Sequence, residues 1–549
     1  MANERYPYGI LDVWGGGQLL AFSGVDGPTP FHQALAARTS FAGTGLLIKY
    51  PDEAGLVFDP GPPGALFLTA DLFDLVHAGG RTRGAFLDAC HLLVEGPCRV
   101  ESLGLGLQVA RQGQRTLVGA AAQFRPDKIE SDLDQAIEDR LGWIRSAQER
   151  VFGARARAMG SLQRKTLWKC LSVLKSCVYS PEGVIGHRYT TPDRWPHRGM
   201  WLWDSAFNAI GLRHMDPALA RDAVEAVLDA QHPDGMVQIS YHHTDEPASY
   251  TQPPTLAMAA DCINRTEPDR PWIERIYPKL ASYLEWDMTN RDSDGDGLLE
   301  WEIEAGAECR CGKSGWDNSP RFDAARRLNA VDFNSFMARE CEVMAGFARL
   351  LGKAGDEETW RAHHRRICGL INRKLWNEDL GLYVDAFAGS APSGSAEQQP
   401  MLTAAGFLPL LCGAPSRGRA AAMAAHLRDP GTFATAVPVA TVSPREEERY
   451  SKDMWRGPMW VNVNWLIATG LERYGHTEEA ALLRERTCST IEKYCERYGV
   501  IFEFFDSQDE LPPPELLRKR KNDPAEWIHQ VIHDYSWTAA VYLDFRTAQ

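Results

Sequence analysis

The chain is predicted to be mainly α, a closed toroid of paired helices behind a smaller β-rich domain. Apolar residues recur at three- and four-residue spacing in about twelve segments between residue 160 and the C-terminal end. Before residue 127 that period is missing, and short apolar runs alternate with Gly, Pro and Asp. At 549 residues the chain also exceeds what one hydrophobic core normally serves, so a large and a smaller domain are expected.

In order, residues 1–127 read as short strands of an antiparallel sandwich, with Thr44–Tyr50, Gly55–Asp59, Leu92–Gly96 and Thr116–Gly119 as the clearest. Ile129, Leu133, Ile137, Leu141 and Ile144 then mark a linker helix over roughly 128–150, within a linker region 128–159. Residues 160–549 form the helical domain. Its helices are expected at 160–178, 200–213, 216–231, 253–264, 270–289, 331–353, 355–376, 401–411, 416–427, 458–473, 476–498 and 533–546. They come in pairs, and the first of each pair tends to follow an aromatic, polar loop. Six inner and six outer helices would close into a ring, with the inner N-termini around one pit; no solenoid consensus is present.

Composition excludes several classes. The net charge of −14 and the absence of a nucleic-acid-like basic footprint argue against a polyanionic partner. The start, Met1–Tyr8, lacks the pattern of a signal peptide, and no apolar run is long enough to span a bilayer. The 12 Cys therefore read as free thiols of a cytoplasmic protein. Cys309-Arg310-Cys311 is a poor zinc signal without a second pair, so no metal or other cofactor is expected. Asp292–Glu300 resembles a calcium loop but has Ile303 at the twelfth position, and reads as an Asp/Gly turn, with calcium as the minority alternative. The 17 Trp suit stacking on sugar rings, although most belong to core in any large protein.

The chemistry-bearing residues sit in the loops before helices. Lys313–Pro320 places Asp317 beside Trp316 and Asn318, either as a capping turn or as a carboxyl held against an aromatic wall for acid work. Arg198, Trp201, Trp203 and Asp204 form an aromatic platform with a carboxylate, or an N-cap beside core tryptophans. Gln238 and Gln252 can donate and accept at once, as a vicinal diol requires. Trp455, Arg456, Gly457, Trp460 and Asn462 repeat the theme, and His533, Tyr535 and Trp537 open the last helix. Glu503 stands in the apolar run Ile501–Phe505, where an uncompensated buried carboxylate is too costly, so it must face a polar cavity or be protonated. Asp317 and Glu503, joined only by the fold, would be the acid and base of glycoside hydrolysis.

The ordered set Trp203-Asp204-Ser205, Gln252-Pro253-Pro254, Ser314–Pro320, Asp332-Phe333-Asn334, Trp455–Pro458, Glu503 and Tyr535-Ser536-Trp537 resembles glycoside hydrolase family 63 and its trehalase and mannosylglycerate or glucosylglycerate hydrolase relatives. That resemblance implies an (α/α)6 barrel and an inverting mechanism. Asp317 would be the general acid, Glu503 the general base, and Asp204 would hold hydroxyls of the sugar. The β-rich start tilts the expected substrate towards an α-glucoside or oligosaccharide; a glycerate glycoside or trehalose is the alternative. Small carbohydrate is the expected partner, without nucleic acid or membrane. A sugar epimerase using His242, His243 and His533, or a barrel that only binds glycans, are the rival readings.

Overall fold

The computed structural model describes residues 15–40, 45–49, 53–57, 64–101, 106–153, 159–242, 248, 250–306, 308–324, 326–389, 397–523 and 525–547. Met1–Tyr8, Thr44, Tyr50, Phe58, Asp59 and His243 lie outside these.

The N-terminal region is two antiparallel sheets. One runs β1 (Leu19–Ala21), β2 (Ala36–Thr39), β3 (Gly45–Lys49), β4 (Glu53–Val57) and, pairing with it, the short β9 (Arg99–Val100). The other is formed by β5 (Gly64–Thr69), β6 (Leu72–His77), β7 (Gly80–Asp88), β8 (His91–Glu95), β10 (Leu107–Gln112) and β11 (Arg115–Ala120), in the order 10-11-8-7-6-5. Leu92, Leu93 and Val94 are all buried, as expected of a strand covered on both faces. The next element, α1 (Leu133–Phe152), begins later than its periodicity suggests. Asp132 fixes the start by accepting from the Asp134 and Gln135 amides.

From here the structure is mainly helical, with short strands confined to the connections: α2 (Ser161–Ser176), α3 (Leu202–Leu212), α4 (Pro217–Asp229), α5 (Leu256–Thr266), α6 (Arg270–Asn290), α7 (Val331–Leu351), α8 (Ala354–Leu370), α9 (Pro409–Cys412), α10 (Arg417–His426), α11 (Val461–Arg473), α12 (Thr477–Tyr498) and α13 (Ser536–Thr547). Helix packing runs α3–α5–α7–α9–α11–α13 and returns to α3. Every residue of α3 and α9 is buried, whereas α6, α8 and α12 are amphipathic. Asp216 and Asp269 cap α4 and α6, each followed within two residues by Pro at the helix start. The helix expected at 401–411 is instead a 3-10 turn, Ala404–Phe407, followed by the one-turn α9, because Pro409 has no N–H with which to continue the ladder. The segments expected from 458 and 533 begin at Val461 and Ser536, with the aromatic-polar residues left as the preceding loop. None of the helices is long and apolar enough to cross a membrane among the described residues.

Candidate functional site

The loops before α3, α7, α11 and α13 meet at a cavity of about 90 Å³. Its lining includes Trp201, Trp203, Asp204, Gln252, Asp317, Trp455, Trp460, Glu503, Tyr535 and Trp537 from the sequence reading. Trp455 and Trp460 stack with centroids 3.8 Å apart, and Trp537 meets Trp203 edge-on at 5.2 Å. Each ring of this aromatic wall packs on the next. Gly315 is required beside it: the backbone has φ of 74°, and a Cβ would lie 2.3 Å from the Trp203 indole.

Glu503 is buried and not left uncompensated. Arg518 Nε donates to its Oε2 at 2.8 Å and Nη2 to Oε1 at 3.1 Å, a fork-to-carboxylate pair, and the Ile532 amide donates to Oε2 at 3.2 Å. Burial pulls the Arg518 guanidinium down, but the charges of Glu503 and Asp317 outweigh it and hold it protonated. Asp317 lies across the same cavity, with Lys519 Nζ 3.4 Å from its Oδ2. Adjacent residues thus supply a cation to each carboxylate. They can do so because 518–521 is a tight two-residue turn, closed by Arg518 N to Lys521 O at 2.8 Å, with Lys519 and Arg520 both at positive φ.

Asp204 behaves differently. Burial raises its carboxyl to about 8, the Tyr535 hydroxyl 3.0 Å away pulls it partly back, and the Glu503 charge pushes it up. At neutral pH it carries a proton, and so can donate as well as accept towards a sugar hydroxyl. The indole N–H groups of Trp201, Trp455 and Trp537 have no protein acceptor among the described residues, which suits walls built for a polyhydroxylated ligand.

Eight sequence candidates do not line the cavity. Trp316 lies behind Trp455, with centroids 4.8 Å apart, and Asn318 Oδ1 accepts from the Trp455 amide at 3.0 Å. Arg456 pairs with Asp323, and Gly457 gives close passage to Ser451 and Tyr450. Asn462 is buried on α11. Gln238 accepts from the Ala248 amide, and Arg198 stacks on Phe31 of the N-terminal region. His533 is driven by burial to about 3 and donates Nδ1–H to the Gly16 carbonyl, so it stays neutral in a structural role. The sequence reading missed His197, Arg518 and Lys519. For the last two a signal existed, the basic run Arg518–Lys521, which resembles a solvated face until its Arg is seen to be buried. In the Asp/Gly loop, Asp292, Asp294 and Glu300 bring carboxylate oxygens within 4.8 Å of one another, while Lys374 occupies Asp296 at 2.7 Å.

The site thus brings two carboxylates, each with a cation beside it, to one aromatic-walled cavity, and the comparisons with known proteins identify a glycoside hydrolase. Residues 196–538 match the family model of the mannosylglycerate hydrolase MGH1-like glycoside hydrolase domain, and the chain belongs to that family. It is a glycoside hydrolase of the family 63 group, related to the trehalases. The mannosylglycerate hydrolase of Rubrobacter radiotolerans is 26% identical over 447 residues, covering 64% of this chain and 91% of the relative. The crystal structure of the family 63 mannosylglycerate hydrolase from Thermus thermophilus in complex with glucose superposes with a TM-score of 0.57 at 22% identity, over 69% of this chain and 99% of that one. Neutral trehalase from Saccharomyces cerevisiae gives a TM-score of 0.53 at 16% identity, over 69% of this chain and 79% of that one.

Proposed function

We propose that the protein hydrolyses the α-glycosidic bond of a small glycoside with an acidic aglycone, of the mannosylglycerate or glucosylglycerate kind, with inversion at the anomeric carbon. Asp317 is the general acid and Glu503 the general base. The observation that carries the acidic aglycone is Lys519. A general acid protonates the leaving oxygen, so the groups beside it face the aglycone. Lys519 Nζ stands 3.4 Å from Asp317 Oδ2 on the cavity lining, where it can also meet a ligand carboxylate. Asp204, Gln252, Tyr535 and the tryptophan walls bind the sugar.

The same reading takes the closed run of helices as an (α/α)6 barrel over 160–549, the two sheets as a sandwich over 1–127, and 128–159 as the linker. The twelve cysteines, none in a disulfide, support a reducing, cytoplasmic setting.

The test is turnover of 2-O-α-mannosylglycerate, 2-O-α-glucosylglycerate, trehalose and maltose by wild type and by Lys519→Met. The glycerate glycosides should be preferred, and Lys519→Met should raise KM for them more than for trehalose and maltose. Preference for trehalose or maltose refutes the acidic aglycone. Proton NMR in the first minutes should show the β-anomer of the released sugar, and an initial α-anomer refutes inversion. The Asp317 and Glu503 carboxyls should stand roughly 6.5–9.5 Å apart in a sugar complex.

A further inference from the structure

The family match begins at residue 196, yet a side chain from the N-terminal sheet reaches the edge of the site. Arg38, on β2, is fully buried, and its guanidinium donates to the carbonyls of His533 at 2.8 Å and Trp195 at 2.6 Å. Its Nη2 also lies 3.5 Å from Asp193 Oδ1. Asp193, itself fully buried, accepts from the amide of His197 at 3.2 Å and faces His197 Nδ1 with Oδ2 at 2.8 Å. On the far side of that ring, Nε2 is 3.4 Å from Nη2 of Arg518, the residue that clamps Glu503. His197 also lines the cavity.

We propose that Arg38, Asp193 and His197 are positioning residues for Glu503, so that the N-terminal sheet is a working part of the hydrolytic site. Asp193 takes the Nδ1 proton of His197 as a hydrogen bond, which leaves Nε2 with its lone pair towards Arg518. A guanidinium has a fixed plane and no acceptor of its own. An acceptor at one Nη therefore sets the rotation of the whole fork, and with it the angle at which Glu503 is held. Arg38 fixes the other end, because it ties Asp193 to the Trp195 and His533 carbonyls. The inference rests on Glu503 as the base.

The experiment compares wild type, His197→Leu, His197→Gln, Arg38→Lys and the Arg38→Lys/His197→Leu double variant on whichever of the four glycosides wild type turns over fastest. His197→Leu should lower kcat by about tenfold to a hundredfold, the scale of a small misplacement of a reacting group, with KM changed less than kcat. Gln, whose amide oxygen can replace Nε2 as acceptor, should recover most of that loss. The double variant should be no slower than His197→Leu alone, since both changes cut one chain of contacts. Multiplying losses, or an effect confined to KM, would overturn the proposal. A second readout needs no substrate: nitrogen NMR of histidine-labelled protein. The His197 signals, assigned by their loss in His197→Gln, should show a protonated Nδ1 and an unprotonated Nε2, and should move in Arg38→Lys. An Nε2 proton in wild type, or signals unchanged by Arg38→Lys, refutes the relay even if every glycoside proves inert, which would refute the proposed function separately.

Discussion

Replacing Asp204 by Asn should flatten the pH dependence of stability. In the folded chain its carboxyl is raised by burial to about 8, against an ordinary value of 3.8. Between those values the folded state holds a proton that the unfolded chain releases. The resulting stability is complete below about pH 4 and is lost as pH rises to about 8. A difference of about 4 pK units at about 1.4 kcal/mol each makes the contribution roughly 6 kcal/mol, an upper figure because a buried site relaxes. For a chain of 549 residues, 1 kcal/mol moves the melting temperature by about 1 °C, so the full span is about 5 °C, of which roughly 4 °C falls above pH 5. The assay is the thermal midpoint of wild type and Asp204→Asn in matched buffers from pH 5 to 9. Other buried carboxyls with raised values, such as Asp287 and Glu340, contribute equally to both proteins and cancel in the difference. The variant should gain on wild type steadily up to about pH 8 and then run parallel. In Tyr535→Phe the carboxyl loses the hydrogen bond that favours its charged form, so the wild-type slope should persist to higher pH. Superimposable profiles for wild type and Asp204→Asn would refute the buried, protonated Asp204.

Asp317→Asn should abolish turnover and leave the thermal midpoint nearly unchanged, since its carboxyl is partly exposed and only its backbone carbonyl ties the loop; a large loss of melting temperature would make it a structural cap. Glu503→Gln should also abolish turnover but should lower stability by about 3–5 kcal/mol, because Arg518 is left as a buried unpaired charge; denaturant titration measures it. Trp455→Ala should cost about 3–5 kcal/mol, as it removes a fully buried ring stacked on Trp460 and Trp316, and a change under 1 kcal/mol would show that the wall collapses freely. Mass mapping under non-reducing, denaturing conditions should find twelve free thiols, and reproducible disulfides would overturn the reducing compartment.

The helical part was legible because its signals are local. The period of α4 and α6 and their Asp caps lie within a few residues of each other, and their ends fall within two residues of the sequence reading. Trp203, Asp204, Asp317 and Glu503 do line one cavity, but only the Glu503 run pointed to a cavity by itself; the other three also read as a capping turn or an N-cap beside core tryptophans. Arg518, Lys519 and His197 were not legible. A basic run says nothing of burial, and Arg518 becomes informative only once Glu503, 15 residues earlier, is seen on its fork. Nor could pattern reading separate Trp455, which lines the cavity, from Trp316 behind it, because the two indoles differ only in which side of one stack they occupy. In the N-terminal region β3, β4, β8 and β11 were visible as short apolar runs, whereas the short β2, with its buried Arg38, was not.

The attachment of that region to the C-terminal end also sets a timetable for synthesis. The Leu19 amide donates to Asp534 at 2.7 Å across 515 residues of chain, and Gln18 donates to the Gly499 carbonyl across 481. A ribosome adding about 5–20 residues per second needs roughly 25–100 s to make the partner of Leu19 after Leu19 itself has been made. For that interval β1 can hold its pairing with β2 but not its seat against residues 499–534. The edge it offers during the wait is short, three residues long, which limits the template available to a neighbouring nascent chain.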